Sequence, residues 1–151
     1  MYKKILIPID GSKMSEKAFE YALSLAENFG EELVLLTVIP EHVVPAGAYR
    51  TWTHPTMVKR YVKIMKAVAK QAATDMLDKK MQECEKRNLK VSYKIVEGDP
   101  ASEIIEVASK MKIDFIVIGS VGLTGIKKLK TLGSVSRKVS ENVSCPVLIV
   151  R

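Results

Sequence analysis

Glycine and hydroxyl residues recur in the segment 119–136 in a pattern that suits the binding of a phosphate group. Gly119, Gly122 and Gly125 are three residues apart, and Gly133-Ser134 follows after a basic spacer that contains leucines. Glycine allows positive φ angles and leaves room against the main chain, so backbone amides in such a loop can face an anion. Because serine is a favoured N-cap, Ser134 is predicted to start a helix. The first amides of that helix would face the same anion as the amides of the loop.

The spacing of these glycines excludes two familiar nucleotide-binding loops. A Walker A loop needs a lysine directly after its second glycine, and no register of the segment supplies one. The dinucleotide fingerprint G-x-G-x-x-G also fails, because the three glycines are evenly spaced. On the residues alone, two interpretations stay open: a phosphate cradle, or a surface loop that uses glycine only to turn.

Apolar runs predict the strands that must position this loop. The run Asp114–Ile118 precedes the loop and is typical of a buried parallel strand. A first strand is predicted at Lys3–Ile9; Pro8 marks its end, and Asp10 lies in the turn that follows. Three further strands are predicted, at Leu33–Ile39, Val91–Val96 and Pro146–Val150.

Helical periodicity predicts the elements between the strands. Met14–Phe29 is predicted as a helix that ends at Gly30, with a buried stripe of Met14, Ala18, Ala22, Leu25 and Phe29. A much longer helix is predicted at Met57–Arg87, and Asp99-Pro100 has the residue types of another helix start. The buried face of that later helix is predicted from Ile104, Ile105, Ala108 and Met111.

One long segment, Glu41–Thr56, lacks any clear periodicity and is predicted to be a loop. Trp52 within it either covers a bound base or packs against the domain. The alternation of strands and helices elsewhere predicts an α/β fold, with five parallel strands and helices on both faces of the sheet. A chain of 151 residues is expected to form a single domain, residues 1–151.

Four segments together resemble the universal stress protein family. They are the glycine-rich segment 119–136, the opening run Ile5–Ser12, the turn Glu97–Ala101 and the closing run Cys145–Val150. The resemblance implies a Rossmann-like sheet with strand order 3-2-1-4-5, in which the chain reverses direction between strands 1 and 4. Open α/β sheets bind ligands at such a switch point, outside the carboxyl ends of the strands.

The resemblance also implies that ATP, or AMP or ADP, binds at this switch point. The adenine is expected beside Asp10 and the Val38 backbone, and the ribose near Gly119 and Gly122. The phosphates are expected on the amides of Gly122–Gly125 and Gly133–Ser136. The implied nucleotide-binding residues are Pro8, Asp10, Val38, Gly119, Ser120, Gly122, Leu123, Thr124, Gly125, Gly133, Ser134, Val135 and Ser136. The family pattern has nine residues between the second and the last glycine, whereas this chain has ten, Leu123–Leu132.

Composition limits the other functions that the chain can have. Hydrophobic residues make up 47% and charged residues 27%, as in ordinary globular proteins. The net charge of +7 favours anionic partners, but aromatic residues are only 6% and none lies in the cluster Lys127–Lys130, so nucleic acid is not the expected partner. No apolar run could span a bilayer and no signal peptide is evident, so we expect a cytoplasmic protein without a membrane partner.

The two cysteines and two histidines lack the spacing of a metal site, so any Mg²⁺ is expected to arrive with the phosphates. No catalytic constellation is evident, which favours a nucleotide-dependent stress sensor with at most slow ATP hydrolysis. The alternative is a nucleotide-free dimeric interaction protein, since the extra spacer residue can displace Gly133-Ser134 from the phosphates. A homodimer is expected through the apolar edge strand Cys145–Val150.

Overall fold

Strands and helices alternate in the computed structural model, which describes residues 3–41, 54–122 and 132–151. The strands are β1 (Lys4–Pro8), β2 (Glu32–Ile39), β3 (Val91–Glu97), β4 (Phe115–Gly119) and β5 (Val147–Val150). The helices are α1 (Lys13–Phe29), α2 (Pro55–Lys86), α3 (Pro100–Lys110) and α4 (Ser134–Asn142).

The strands form one parallel sheet in the order β3-β2-β1-β4-β5. The predicted α/β fold class and strand order are therefore confirmed. In the centre of the sheet, β1 pairs with β2 through Leu6↔Val34 and with β4 through Leu6↔Ile116. From β1 the sheet grows first to one side, through β2 and β3, and then to the other, through β4 and β5. The carboxyl ends of β1 and β4 lie side by side at this switch, because the two strands are parallel neighbours.

Successive residues of the central strands pack into two separate cores, one on each face of the sheet. Ile5 and Ile7 of β1 belong to the core that α1 and α2 cover, and Leu6 belongs to the core that α3 and α4 cover. All three side chains are fully buried. Alternate side chains of a strand point to opposite faces, so a nearly continuous apolar run is what a sheet covered on both sides requires.

Helix α1 is capped at both ends but buries a different stripe from the one predicted. The Ser12 hydroxyl oxygen accepts a hydrogen bond from the Ser15 amide (3.2 Å), and Gly30 ends the helix at a φ of 70°. The prediction that Phe29 is buried is wrong, because its side chain is 63% exposed in the last turn. The buried positions are Ser15, Ala18, Phe19, Ala22, Leu23 and Ala26.

Helix α2 begins at Pro55, two residues before the predicted start, because proline fits the first helical position where no N–H is needed. The predicted loop Glu41–Thr56 therefore ends early, and its residues 42–53 lie outside the described residues. Lys80 of α2 is buried and pairs with Glu16 of α1 (Nζ···Oε2 2.5 Å). The same ammonium group lies 4.4 Å from the centre of a phenylalanine ring of α1, which fixes the two helices against each other.

Helix α3 begins as predicted: Asp99 accepts a hydrogen bond from the Ser102 amide (3.0 Å), and Pro100 takes the first helical position. Its fully buried residues are Ala101, Ile104, Val107 and Ala108, whereas the predicted Ile105 and Met111 are half-buried. Of the helices in the three described ranges, none has a stretch both long and apolar enough to cross a membrane.

Candidate functional site

Two segments far apart in the sequence meet beyond the carboxyl ends of β1 and β4. The carboxylate of Asp10 follows β1 and accepts a hydrogen bond from the Ser12 amide (2.9 Å). Gly122 follows β4, and a Cβ placed on it would lie 2.8 Å from Asp10 Oδ2. The backbone after β4 therefore passes directly over the carboxylate that follows β1.

A cavity of about 300 Å³ opens at this meeting point. Its lining includes the following residues that the sequence analysis assigned to the site: Pro8, Asp10, Val38, Gly119, Ser120, Gly122, Gly133, Ser134, Val135 and Ser136. The other three assigned residues, Leu123, Thr124 and Gly125, lie outside the described residues. The structure thus gathers into one cavity every assigned residue that it describes.

The N-terminus of α4 differs from those of α1 and α3. The N-cap of α4 is Gly133, with extended backbone angles (φ −64°, ψ 160°), so the prediction that Ser134 is the N-cap is wrong. Ser134 already has a helical backbone. Ser12 and Asp99 cap α1 and α3 with side-chain oxygens, whereas no side chain in the described residues caps α4.

The missing cap leaves hydrogen-bond donors in the wall of the cavity. The first amides of a helix have no acceptor within the helix, and here they belong to Ser134, Val135 and Ser136, which all line the cavity. They lie at the positive end of the α4 dipole, which favours a negatively charged group. The first turn of α4 is therefore suited to an anionic acceptor from outside the chain.

Hydrogen bonds within the protein hold this turn in place. The Gly133 amide donates to the Ser120 carbonyl oxygen (2.8 Å), and the Ser136 hydroxyl donates to the same oxygen (2.9 Å). The Ser120 amide donates in turn to the carbonyl oxygen of Val150 in β5 (2.8 Å). The Gly133 amide and the Ser136 hydroxyl are therefore already engaged. Among the described groups of this turn, the first backbone amides of α4 remain to face a ligand.

Gly119 serves the packing of the protein at the edge of the site. A Cβ at this position would lie 2.7 Å from the carbonyl carbon and 2.9 Å from the carbonyl oxygen of Met14. Such distances are too short for any side chain, and the obstructing atoms belong to the backbone of α1. A glycine is needed here so that α1 can pack against the end of β4.

Ten further residues of the cavity wall, most of them apolar, were not predicted from the sequence. These further lining residues are Ile9, Ser12, Ser15, Leu36, Thr37, Pro40, Pro100, Ile104, Ile118 and Val121. Apolar residues within strands look like ordinary core, and only their position at the carboxyl ends of adjacent strands distinguishes them. Thr37 is the one of these strand residues that the sequence distinguishes, because it is a polar residue in an apolar run. Its hydroxyl donates a hydrogen bond to the Ile9 carbonyl oxygen (2.9 Å).

A charged cluster links α3 and α4 beside the cavity. Asp99 Oδ2 accepts hydrogen bonds from the Ser102 hydroxyl (2.6 Å) and from Lys138 Nζ of α4 (3.1 Å). The hydrogen bonds from Ser102 and the nearby lysine lower the pKa of Asp99 to about 2. Asp99 is therefore ionised at neutral pH, and it connects two helices that each contribute residues to the cavity wall.

Asp10 is the only acidic side chain among the described lining residues, and no histidine is found among them. Within the described ranges, no group of three or more His, Cys, Asp or Glu residues is placed to hold a metal ion. The described cavity thus offers one carboxylate, several backbone donors and an apolar wall. These groups suit a ligand that has an apolar ring system and an anionic part.

Comparisons with known proteins give one consistent result. The model of the Universal stress protein family matches residues 1–151. Universal stress protein MJ0531 of Methanocaldococcus jannaschii is 34% identical and is covered over 83% of its length by 100% of this chain. Universal stress protein YxiE of Bacillus subtilis is also 34% identical, with 100% of both chains covered.

Solved structures with the same fold include MJ0577 of Methanocaldococcus jannaschii, with a TM-score of 0.83, 32% identity and coverage of 99% of this chain and 96% of that one. A universal stress protein in complex with cAMP has a TM-score of 0.64 at 24% identity, covering 99% and 97%. An Arabidopsis thaliana family protein with AMP bound has a TM-score of 0.64 at 19% identity, covering 98% and 90%. At these identities the last two likenesses establish the fold alone.

Proposed function

Because this chain belongs to the universal stress protein family, we propose that the cavity beyond β1 and β4 binds an adenine nucleotide. The observation that carries the proposal is the uncapped first turn of α4 in the wall of that cavity. Its amides and the positive end of the helix dipole suit phosphate oxygens. The protein would then act in the stress response as a regulator whose state depends on the nucleotide.

We assign the parts of the nucleotide to different walls of the cavity. The adenine lies against the apolar strand ends, with Asp10 and the Val38 backbone at its edge. The ribose lies near Gly122, where the absence of a side chain leaves room next to the Asp10 carboxylate. The phosphates meet the first amides of α4, and any Mg²⁺ is held mainly by the phosphates themselves.

Two relatives of known structure support an adenine nucleotide over other anionic ligands. One was solved with cAMP and the other with AMP, and both share the fold of this chain. The cavity volume of about 300 Å³ in the described part of the chain lies at the small end of the range for small-molecule sites. ATP, ADP and AMP all share the base and ribose that the apolar wall and Asp10 would contact.

The lining residues favour regulation over efficient hydrolysis. Phosphoryl transfer to water needs a group that positions the water, together with positive charge at the leaving phosphate. Asp10, the one acid among the described lining residues, is assigned to the base end of the nucleotide, away from the γ-phosphate. We therefore propose at most slow turnover of ATP.

A nucleotide-free interaction protein is the second candidate, and two observations favour it. The spacer Leu123–Leu132 has ten residues in place of the nine in the family pattern. The Gly133 amide, which the family pattern would direct at a phosphate, donates to the Ser120 carbonyl oxygen instead. If these features close the phosphate end of the cavity, the protein functions through its surfaces alone.

Nucleotide content and a titration distinguish the two candidates. The purified protein is denatured by heat, released small molecules are separated by chromatography, and the apo protein is titrated with ATP and Mg²⁺ by calorimetry. Adenine nucleotide in the released fraction, or saturable binding to the apo protein, supports the proposed function. The absence of both supports the nucleotide-free candidate.

A further inference from the structure

Thr37 is a buried polar residue in the apolar run of β2. Its side chain lines the cavity beyond β1 and β4 and is only 8% exposed. A buried hydroxyl destabilises the fold unless it is hydrogen-bonded, and valine would fill the same space without that requirement. The hydroxyl donates to the carbonyl oxygen of Ile9, which lies between the end of β1 and Asp10 (2.9 Å). The use of a threonine here therefore concerns the Ile9 carbonyl.

The backbone hydrogen bonds of β2 alternate between its two neighbours in the sheet. The Glu32 amide donates to the Lys3 carbonyl oxygen on the β1 side (2.9 Å). The Leu33 amide donates to the Lys90 carbonyl oxygen on the β3 side (2.8 Å). Even-numbered residues of β2 therefore direct their backbone groups towards β1, and odd-numbered residues direct theirs towards β3. By this alternation the amide and the carbonyl of Val38 face the β1 side.

The ladder between β1 and β2 stops just before Val38. Its last described bond runs from the Ile9 amide to the Leu36 carbonyl oxygen (2.8 Å). In a continued parallel ladder, the Ile9 carbonyl would accept the next bond from the Val38 amide. No hydrogen bond joins these two groups, and no described residue accepts one from the Val38 amide on the β1 side. The Ile9 carbonyl accepts the Thr37 hydroxyl instead.

The chain leaves the sheet after β1 at the same level. Gly11, at a φ of 80°, lies in the turn to α1, and Ser12 caps that helix. Val38 therefore presents a donor and an acceptor beyond the end of β1, and it lines the cavity there. The edge of an adenine ring matches such a pair, because its ring nitrogens accept hydrogen bonds and its amino group donates them.

We propose that Thr37 is a positioning residue for nucleotide binding: its hydroxyl holds the Ile9 carbonyl and so keeps the Val38 amide out of the sheet and available to the adenine. The base then takes the place that the next residue of β1 would have in a longer ladder. The same hydrogen bond holds the residue before Asp10, so it sets the carboxylate and the amide relative to each other. The role in binding rests on the proposed function, whereas the state of the Val38 amide in the free protein does not.

Amide hydrogen exchange in the ligand-free protein tests that state directly. In the native chain the Val38 amide should exchange at least about tenfold faster than the Leu36 amide, which lies within the ladder. Thr37→Val should slow the exchange of Val38 by about tenfold or more, because the Ile9 carbonyl can then accept its amide. Thr37→Ser keeps the hydroxyl and should behave like the native chain. A native Val38 amide as slow as Leu36, or one that Thr37→Val leaves unchanged, overturns the proposal.

Binding of two ligands tests the consequence for the nucleotide. AMP and ribose 5-phosphate share the sugar phosphate, but only AMP has the base. Thr37→Val should lower the affinity for AMP by about tenfold and leave that for ribose 5-phosphate unchanged, and Thr37→Ser should restore AMP binding. Thr74→Val is the matched control, because it removes a threonine hydroxyl that donates to the Lys70 carbonyl oxygen within α2. NMR titration measures both affinities, and circular dichroism checks that every variant is folded.

Two results of the titration contradict the role of Thr37: native affinity for AMP in a folded Thr37→Val protein, or equal losses of affinity for AMP and ribose 5-phosphate. Failure of the proposed function has a different signature, in which the native chain binds neither AMP nor ATP. In that case the exchange rate of the Val38 amide still decides whether Thr37 keeps this amide out of the sheet.

Discussion

Gly119 and Gly122 lie three residues apart and make close approaches of different kinds. Gly119 faces the backbone of Met14, which cannot move without shifting α1. Gly122 is exposed and faces the carboxylate of Asp10, which can move. A side chain at the first position therefore disturbs the fold, and a side chain at the second disturbs the candidate site.

This difference predicts separate phenotypes for two substitutions. Gly122→Val should weaken ATP binding by at least about tenfold, because the new side chain crowds the ligand and displaces the Asp10 carboxylate. Its thermal unfolding should stay close to that of the native protein. Gly119→Ala should instead lower the free energy of unfolding by about 1–3 kcal/mol through overpacking. Calorimetric titration and thermal denaturation of both variants measure these effects; a folded Gly122→Val protein with native affinity removes Gly122 from the site.

Glu31 gives a prediction about pH at the opposite end of the sheet. Its side chain is buried, and burial, followed by the nearby charge of Asp114, raises the pKa of Glu31. Because the pKa of Glu31 is higher in the folded state than in the unfolded state, ionisation of this carboxyl group destabilises the folded protein. The destabilisation is present above the folded-state pKa and disappears as the pH falls through that pKa. Glu31→Gln should therefore raise the melting temperature at neutral pH.

The gain from Glu31→Gln should shrink as the pH is lowered towards the ordinary glutamate pKa of 4.5. Thermal denaturation across this pH range measures the effect. Glu20→Gln, at an exposed position of α1, is the control and should have little influence at any pH. A Glu31→Gln protein that is less stable than the native chain at neutral pH contradicts the prediction.

At the scale of elements, a side-chain cap stabilises α3, whereas the lack of a described side-chain cap at α4 leaves its first amides to the candidate site. Asp99→Ala removes the cap of α3 and should lower the free energy of unfolding by about 1 kcal/mol at neutral pH. Asp99→Asn keeps a capping oxygen and should cost less. Because the pKa of Asp99 is lowered to about 2, its contribution is complete above 3.8 and is lost as the pH falls towards 2.

Denaturant unfolding of the native chain and both Asp99 variants, at neutral pH and at acidic pH, measures this contribution. The difference between the native chain and Asp99→Ala should narrow in acid. A constant difference at every pH would show that the ionised carboxylate is not what stabilises α3.

Sequence patterns predicted the strands and helices of this fold well. A strand covered on both faces needs a continuous apolar run, and a helix packed on the sheet needs apolar residues at helical spacing. These patterns were less successful where neighbouring residues compete for one role. Gly133 and Ser134 are both suited to cap α4, and the structure places the cap at Gly133, whose amide donates to the Ser120 carbonyl oxygen. Phe29 fits the apolar stripe of α1 but lies in the last turn, where it stays exposed.

The candidate site was predicted only in part for a similar reason. Glycine, serine and aspartate are common in the turns that follow strands, but the regular spacing of the glycines after β4 makes this segment conspicuous in the sequence. Ile9, Leu36 and Ile118 look like any core residue of a buried strand, and only the assembled sheet shows that they face a cavity. The buried Lys80 is likewise unreadable from sequence, since its acceptor is on another helix.

At the scale of the whole molecule, the open edge at β5 predicts a homodimer. Ile116 and Ser120 amides donate to the carbonyl oxygens of Pro146 and Val150, so the backbone groups of Val147 point away from β4. Exposed Tyr21 adds apolar surface beside this edge, because it lies one turn after Lys17 on α1, whose Nζ donates a hydrogen bond to the Arg151 carbonyl oxygen just after β5 (3.2 Å). A paired edge would cover both features.

Val147→Pro tests this dimer, because it removes an outward N–H at the first residue of the strand, where proline is tolerated. The native chain should have the mass of a dimer by light scattering, and the variant should have the mass of a monomer with unchanged circular dichroism. A monomeric native chain, or a folded variant that stays dimeric, contradicts the prediction.

The most direct test of the central claim is the response of individual backbone amides to nucleotide. Amide resonances of isotopically labelled protein are recorded while AMP and then ATP with Mg²⁺ are added. We expect saturable shifts for Ser134, Val135 and Ser136, larger with ATP than with AMP, and no shift for Glu31 at the far end of the sheet. Unshifted resonances in the first turn of α4 at saturating nucleotide would contradict it.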